Sequence, residues 1–290
     1  MTDVFAKEEN QADPNSIIDT VTEYSTIASA YATSVTTEDL WAHTTFYTAT
    51  NYILNGRLNA LRDAAVLDLA CGSGTYSSWA VSQGASKVVG VDISEQQIAC
   101  AREIGHNDRL LRGKIEYIVQ DASTVDGTEL GMFDIVIAIH LLCYAQNGEE
   151  LRRMLKAVSS CLKKGGRFVG VRECLDPVGK GQVLTNVKCE LPGGPMCSYE
   201  LVPVDQQLQD YCHCKLSFRN SDGSTFGFTA FPVRETTMID MFIEEGFKIN
   251  SIGPCLSCSP EGRKLFPPDF IKSVIEDYGK LACYFDVTKE

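Results

Sequence analysis

Three aspartates end or follow short apolar runs, and a glycine-rich turn lies beside the first of them. Asp68 precedes Gly72 and Gly74 in VLDLACGSGTYS (66–77), Asp92 ends VVGVD, and Asp121 follows IVQ. Glycines let a backbone approach a bound molecule closely, and the helix expected after the turn offers unpaired N–H groups. Such a turn between a strand and a helix suits a nucleotide at the carboxyl ends of the strands. Asp92 lies about 20 residues beyond the turn, where an acidic side chain takes the hydroxyls of a ribose. Asp121 and the amide after it are placed to read the amino edge of adenine. A dinucleotide site asks for G-x-G-x-x-G, but the third position after Gly74 is Ser77. Asp68, in the strand just before the turn, suits a ligand with a cationic amino-acid part better than a diphosphate.

S-adenosylmethionine (SAM), with an ammonium and a sulfonium, fits that description. Its methyl group leaves by in-line displacement from an already activated sulfonium, so the protein mainly positions two reactants. Orientation alone supplies about 7–11 kcal/mol in the best intramolecular models. A neutral amine acceptor needs only alignment. A hydroxyl or carbon acceptor must lose a proton, and histidine is the usual agent. Of four histidines, His140 follows FDIVIAI at a strand end. It is the candidate base or substrate ligand, the alternative being that it packs under the substrate or bonds backbone. His43 sits in an N-terminal helical stretch that either lids the pocket or faces solvent. His213 reads as strand and His106 as loop. Arg172 and Glu173 either touch a polar substrate or lie on the solvated surface. CHC (212–214) and CLSC (255–258) raise the question of zinc. Structural zinc uses paired Cys-x-x-Cys or Cys/His sets, and only Cys255 and Cys258 have that spacing, so buried or free thiols and no metal are expected.

The elements that must hold these residues read as strand and helix in alternation. Strands are predicted over 64–70, 87–93, 114–122, 133–142 and 165–173, with helices over 75–83, 94–104 and 148–162. Short loops between such units imply a parallel sheet with right-handed crossovers and helices on both faces. Residues 1–15 read as a disordered tail, 16–62 as lid helices, 63–175 as the nucleotide-binding core, 176–234 as a β-rich segment that extends the sheet or caps it, and 235–290 as a C-terminal helix and strands. The 290 residues, 44% hydrophobic, suffice for one α/β domain. A net charge of -12 argues against a nucleic-acid partner. The 12 cysteines, with no secretory leader expected in the polar N-terminus, read as reduced thiols in the cytoplasm. No apolar run approaches the roughly 20 residues of a membrane span, so no membrane association is expected.

D-x-A-C-G-x-G, V-D-I-S and Q-D-A resemble motifs I, II and III of class I SAM-dependent methyltransferases, over roughly residues 20–175. VLDLACGSGTYS…GASKVVGVDIS resembles more narrowly the small-molecule methyltransferases of the toxoflavin N-methyltransferase type. The resemblance implies a Rossmann-like, doubly wound, mostly parallel seven-stranded sheet with N-terminal helices and an antiparallel C-terminal extension. It implies that Asp68, Ala70, Gly72 and Gly74 line the methionine part, that Asp92 and Ile93 hold ribose and cover adenine with Gln97 nearby, and that Asp121 and Ala122 meet the adenine edge. It implies that His140 faces the methyl group and that an N-terminal aromatic closes over SAM, Tyr24 in preference to Tyr31. Tyr31, His43, Tyr144 and Arg172 are the candidate acceptor-binding residues. The expected function is methyl transfer to N, O or C of a small, secondary-metabolite acceptor by a monomer or homodimer, releasing S-adenosylhomocysteine (SAH). A SAM-binding regulatory protein without turnover and an NAD-dependent oxidoreductase are the alternatives, and Ser77 and Asp68 count against the second.

Overall fold

The computed structural model describes residues 22, 42–54, 60–175, 187–191, 194–201, 209–219, 225–254, 256–276 and 282–290. A wide π-type turn at Ala42–Phe46 leads into α1 (Tyr47–Leu54). Then follow β1 (Ala65–Leu69), α2 (Thr75–Ser82), β2 (Lys87–Asp92), α3 (Glu95–Asn107), β3 (Ile115–Val119), a single turn α4 (Gly127–Leu130) and β4 (Phe133–Ile139). A 3-10 turn at Leu142–Tyr144 precedes α5 (Gly148–Cys161) and β5 (Leu162–Glu173). Strands β6 (Val187–Leu191), β7 (Gly194–Leu201), β8 (Cys214–Arg219) and β9 (Thr225–Ala230) come next. The chain ends with α6 (Glu235–Glu244), β10 (Phe247–Pro254), α7 (Gly262–Leu265), α8 (Pro268–Glu276) and β11 (Ala282–Lys289).

Seven strands form one sheet in the order β10-β11-β5-β4-β1-β2-β3. The pairs β3–β2, β2–β1, β1–β4 and β4–β5 are parallel, while β11 pairs antiparallel with both β5 and β10. The order turns back between β1 and β4, which opens a crevice at the carboxyl ends of those strands. Alternation along each strand feeds two cores. Val66, Ile135, Ile137, Val169 and Val171 face α1 and α2, while Leu67, Leu69, Val136, Ala138 and Phe168 face α5 and α6. This is why the central strands read as almost continuous apolar runs. Arg167 ties α1 to the sheet: its guanidinium donates to the carbonyls of Tyr52 and Ile53 at 3.2 and 2.8 Å and pairs with buried Asp286 at 2.7 Å.

Helix α5 shows how sequence becomes structure next to the site. Leu151, Met154, Leu155, Val158 and Cys161 recur at helical spacing and are buried. Asn147 Oδ1 accepts the Glu150 N–H at 3.0 Å, and Glu150 Oε2 accepts the Gln146 N–H at 2.9 Å, a reciprocal cap that fixes the helix start.

Several expectations change. The β6–β9 segment is an antiparallel sheet of its own and does not extend the large one. β5 starts at Leu162, directly after α5 and three residues before its expected start at 165. Phe133 pairs with Leu162 and Ile135 with Arg167, so β5 bulges there, with Gly165 at φ 76°. His106 is in the last turn of α3 rather than in a loop. His213 precedes β8 instead of lying in it, and its ring meets Phe231 edge-on with centroids 4.9 Å apart. Helix α8 was not expected. Among the described residues no helix is long and apolar enough to cross a membrane.

Candidate functional site

The loop after β1 is built by backbone geometry. Ala70, Gly72 and Gly74 have φ of 56°, 54° and 85°. The Cys71 N–H donates to the carbonyl of Val91 at 3.0 Å, and the Gly74 N–H to the carbonyl of Cys71 at 2.9 Å. Tyr117, from β3, packs under this loop. A Cβ on Gly74 would fall onto the Tyr117 hydroxyl, at the end of a rigid ring that is itself buried. Gly74→Ala therefore combines left-handed strain of about 1–2 kcal/mol with a clash. Its thermal unfolding midpoint is expected to fall by roughly 5 °C or more. An unchanged midpoint by calorimetry would show that the loop tolerates a side chain there.

Each aspartate is engaged by its own turn. Asp92 Oδ2 accepts the Gly72 N–H at 2.8 Å and Oδ1 accepts the Ser94 N–H at 2.9 Å, which joins the end of β2 to the glycine loop. Each oxygen keeps further acceptor capacity. Burial raises the Asp92 carboxyl above its ordinary range, against the pull of those amides. Asp121, two residues past β3, accepts the Ser123 N–H at 2.7 Å. Asp68 accepts the Ser77 hydroxyl at 2.6 Å, which pins the start of α2 to β1. It is fully enclosed, and burial pushes its carboxyl up to about 7.

A cavity of about 220 Å³ opens at the strand ends. Ala70, Gly72, Asp92, Ile93, Asp121 and Ala122 line one side; His140, Tyr144, Gln146 and the α5 residues Glu150, Arg153 and Met154 line the other. The expected nucleotide residues of three consecutive loops thus share one wall. Asp68 and Gly74 sit behind that wall. Gln97 is buried in the first turn of α3, its N–H on the Ser94 hydroxyl at 3.3 Å. Tyr24 and Tyr31 lie outside the described residues.

Two acceptor candidates are elsewhere. His43 Nδ1 lies 2.8 Å from the Ser259 hydroxyl, and the Ser259 N–H donates to the His43 carbonyl at 2.8 Å, so His43 latches the N-terminal helix to the α7 region. Arg172 is 1% exposed, a strand residue whose guanidinium donates to the carbonyls of Glu173 and Val233, both at 3.0 Å. The alternation of β5 directs it away from solvent and from the cavity. Tyr144 does line the cavity, its ring 6.0 Å from that of Phe228.

His140 has the left-handed φ of 59° and holds its N–H on the Val171 carbonyl at 2.8 Å. Backbone strain of this kind concentrates at functional sites. Its Nδ1 lies 2.8 Å from Oε1 of Glu173, both atoms sealed from solvent. Glu173 is 3% exposed. Burial works to raise its carboxyl, but His140 and the Cys143 thiol outweigh it and hold it below the usual range. Glu173 was not foreseen as a partner of His140, although β4 and β5 end at the same edge and adjacency alone brings 140 beside 173. The α5 wall, Arg153 among it, was also not foreseen.

Residues 66–166 match the profile of a family described as a methyltransferase domain. An uncharacterized methyltransferase of Schizosaccharomyces pombe is 33% identical over 121 residues, which is 41% of this chain and 42% of that protein. The ribosomal protein L11 methyltransferase of Burkholderia multivorans is 36% identical over 104 residues, 36% of this chain and 30% of that one. The chain thus spans less than half the length of these curated relatives. Among solved structures, a SAM-dependent methyltransferase from Clostridium acetobutylicum superposes with a TM-score of 0.56 at 17% identity, covering 84% of this chain and 92% of that one. One from Mesorhizobium loti gives 0.52 at 18% identity, covering 81% and 100%. The seven-stranded, Rossmann-like architecture is therefore that of the SAM-dependent methyltransferases.

Proposed function

We propose that the chain is a SAM-dependent methyltransferase that acts on a small molecule. The observation that carries this reading is the Asp92 carboxylate, bonded to the Gly72 N–H of the glycine loop and open to a cavity shared with Ala70, Asp121 and Ala122. The match of 66–166 to a methyltransferase domain supports it. The donor set suits the cofactor: carboxylates for hydroxyls and an ammonium, and no lysine or arginine in the glycine loop for a diphosphate. When bound, SAM supplies an electrophilic methyl on a sulfonium. Asp92 accepts the ribose hydroxyls, Ile93 and Ala122 flank adenine, and Asp121 takes its amino edge. Tyr144 faces the acceptor. The net charge of -12 favours a small acceptor over a nucleic acid. The likeness of the glycine-loop segment to toxoflavin N-methyltransferase-type enzymes supports one of secondary-metabolite kind. Calorimetric titration with SAH and with NAD tests the reading. SAH is expected to bind and NAD to give no heat; the reverse result would overturn it.

Asp68 adds a pH dependence. An unfolded aspartate titrates near 3.8, while this one is held up to about 7 by burial. The folded protein therefore keeps an extra proton between those values. Stability from this group is complete below the unfolded value and is lost as pH rises through the folded one. Asp68 does not line the cavity, so a ligand ammonium on the far side of the glycine loop acts on it through space, favouring the charged form and drawing its carboxyl down. SAH affinity is thus expected to rise between about pH 6 and about pH 8, with proton release at the acid end. Asp68→Asn should flatten that slope, and an equal slope in the variant would assign it to another group.

A further inference from the structure

Glu173 is a carboxylate kept out of water and out of the cavity, and nothing in cofactor binding calls for it. It stands behind His140, which does reach the cavity. The Nδ1 atom of His140 is sealed from solvent against Glu173 Oε1 at 2.8 Å, and this leaves Nε2 as the ring nitrogen available to the cavity. One neighbour shares the carboxylate with His140: the Cys143 thiol also bonds to Glu173. Among the described residues, the 3-10 turn contributes the Cys143 thiol, whose Sγ lies 3.3 Å from the His140 carbonyl. At the end of β5 the Arg172 guanidinium donates to two carbonyls, and Cys174, just past the strand, is a buried thiol. Beyond them stand Cys283 of β11 and Glu235 of α6.

We propose that Glu173 is a positioning residue that holds His140 as the Nδ1–H tautomer with Nε2 ready to take a proton, so that the acceptor is a phenolic or enolic hydroxyl. The inference rests on the methyltransferase reading above. A neutral amine attacks without prior deprotonation and has no use for a buried base backed by a carboxylate. A hydroxyl does. As its oxygen lone pair bonds to the methyl carbon and the C–S bonding pair returns to sulfur, the O–H proton passes to Nε2. The resulting imidazolium is neutralised by the adjacent carboxylate, and the proton later leaves to solvent. A buried group must be paired to carry charge, and Glu173 supplies that pairing where the imidazolium forms.

Nitrogen-15 NMR of histidine-labelled, SAH-loaded protein tests this, with His140 assigned by its substitution. At a pH where the ring is neutral, His140 is expected as the Nδ1–H tautomer. In Glu173→Gln that preference should be lost and turnover with labelled SAM should fall on the order of 100-fold, with SAH affinity held within about threefold. Glu173→Asp, which keeps the charge, should restore part of the turnover and the acid limb of the pH profile. The transferred label is expected on oxygen. An Nε2–H tautomer in the unmodified protein, wild-type turnover in Glu173→Gln, or label on an amine nitrogen would each overturn the inference. Absence of SAH binding would instead sink the methyltransferase reading, so the two failures are distinguishable.

Discussion

Asp92→Ala is expected to weaken SAH binding by roughly 100-fold or more, because two hydrogen bonds to a charged acceptor, each worth about 1.5–3 kcal/mol, are lost together. The same carboxylate also holds the Gly72 and Ser94 N–H groups, so the substitution slackens the glycine loop. The two roles separate by measuring affinity and stability side by side. Removing Asp92 strands two backbone donors but relieves the cost of a buried carboxylate whose titration is raised by that burial. These opposing effects keep the change in unfolding midpoint modest while the loss of affinity is large. Asp92→Asn sharpens the comparison. It preserves the shape but turns one acceptor into a donor facing a backbone N–H, so it should lose affinity nearly as strongly as alanine. Calorimetric titration alongside thermal unfolding checks this. Affinity unchanged in Asp92→Ala would remove the ribose assignment, and affinity falling only in step with stability would make Asp92 a loop support.

The parallel half of the fold was legible because each buried strand is a short apolar run bounded by turn residues. β1, β2 and β4 fall within a few residues of their expected bounds. The nucleotide wall was legible for a related reason: Asp92 and Asp121 stand at or just past strand ends, and parallel order brings those ends to one edge. What failed was information carried by neighbours rather than by spacing. Arg172 reads in GVRE as a residue facing substrate or solvent, yet pairing of β5 with β11 encloses it. His43 reads as a lid or solvent-facing residue, and its partner Ser259 is 216 positions away. The tie between His140 and Glu173 depends on which strand lies beside β4, which periodicity does not reveal. The β6–β9 segment has the alternation and turns of antiparallel strands, but alternation does not say whether such strands join an existing sheet or make their own.

The second large effect concerns His140. Its replacement is expected to lower turnover by about 100- to 10,000-fold, the range of a positioned general base, while SAH affinity is largely kept. The choice of substitution matters because the residue sits at a φ of 59°. Alanine there adds backbone strain to the loss of the ring. Asparagine tolerates the left-handed region and carries no proton-accepting nitrogen. His140→Asn therefore isolates the chemical loss from the conformational one. Either variant also leaves Glu173 buried without the imidazole beside it, so burial raises its carboxyl unopposed by that ring and the folded state is destabilised. Pairing the change with Glu173→Gln removes that buried carboxylate. If the two residues act as one unit, the double variant should turn over no more slowly than His140→Asn alone and should unfold at a higher temperature. Additive losses of turnover would mean that each residue contributes separately. Wild-type turnover in His140→Asn would remove proton transfer from the site, leaving alignment of a neutral nucleophile as the only chemistry the cavity has to perform.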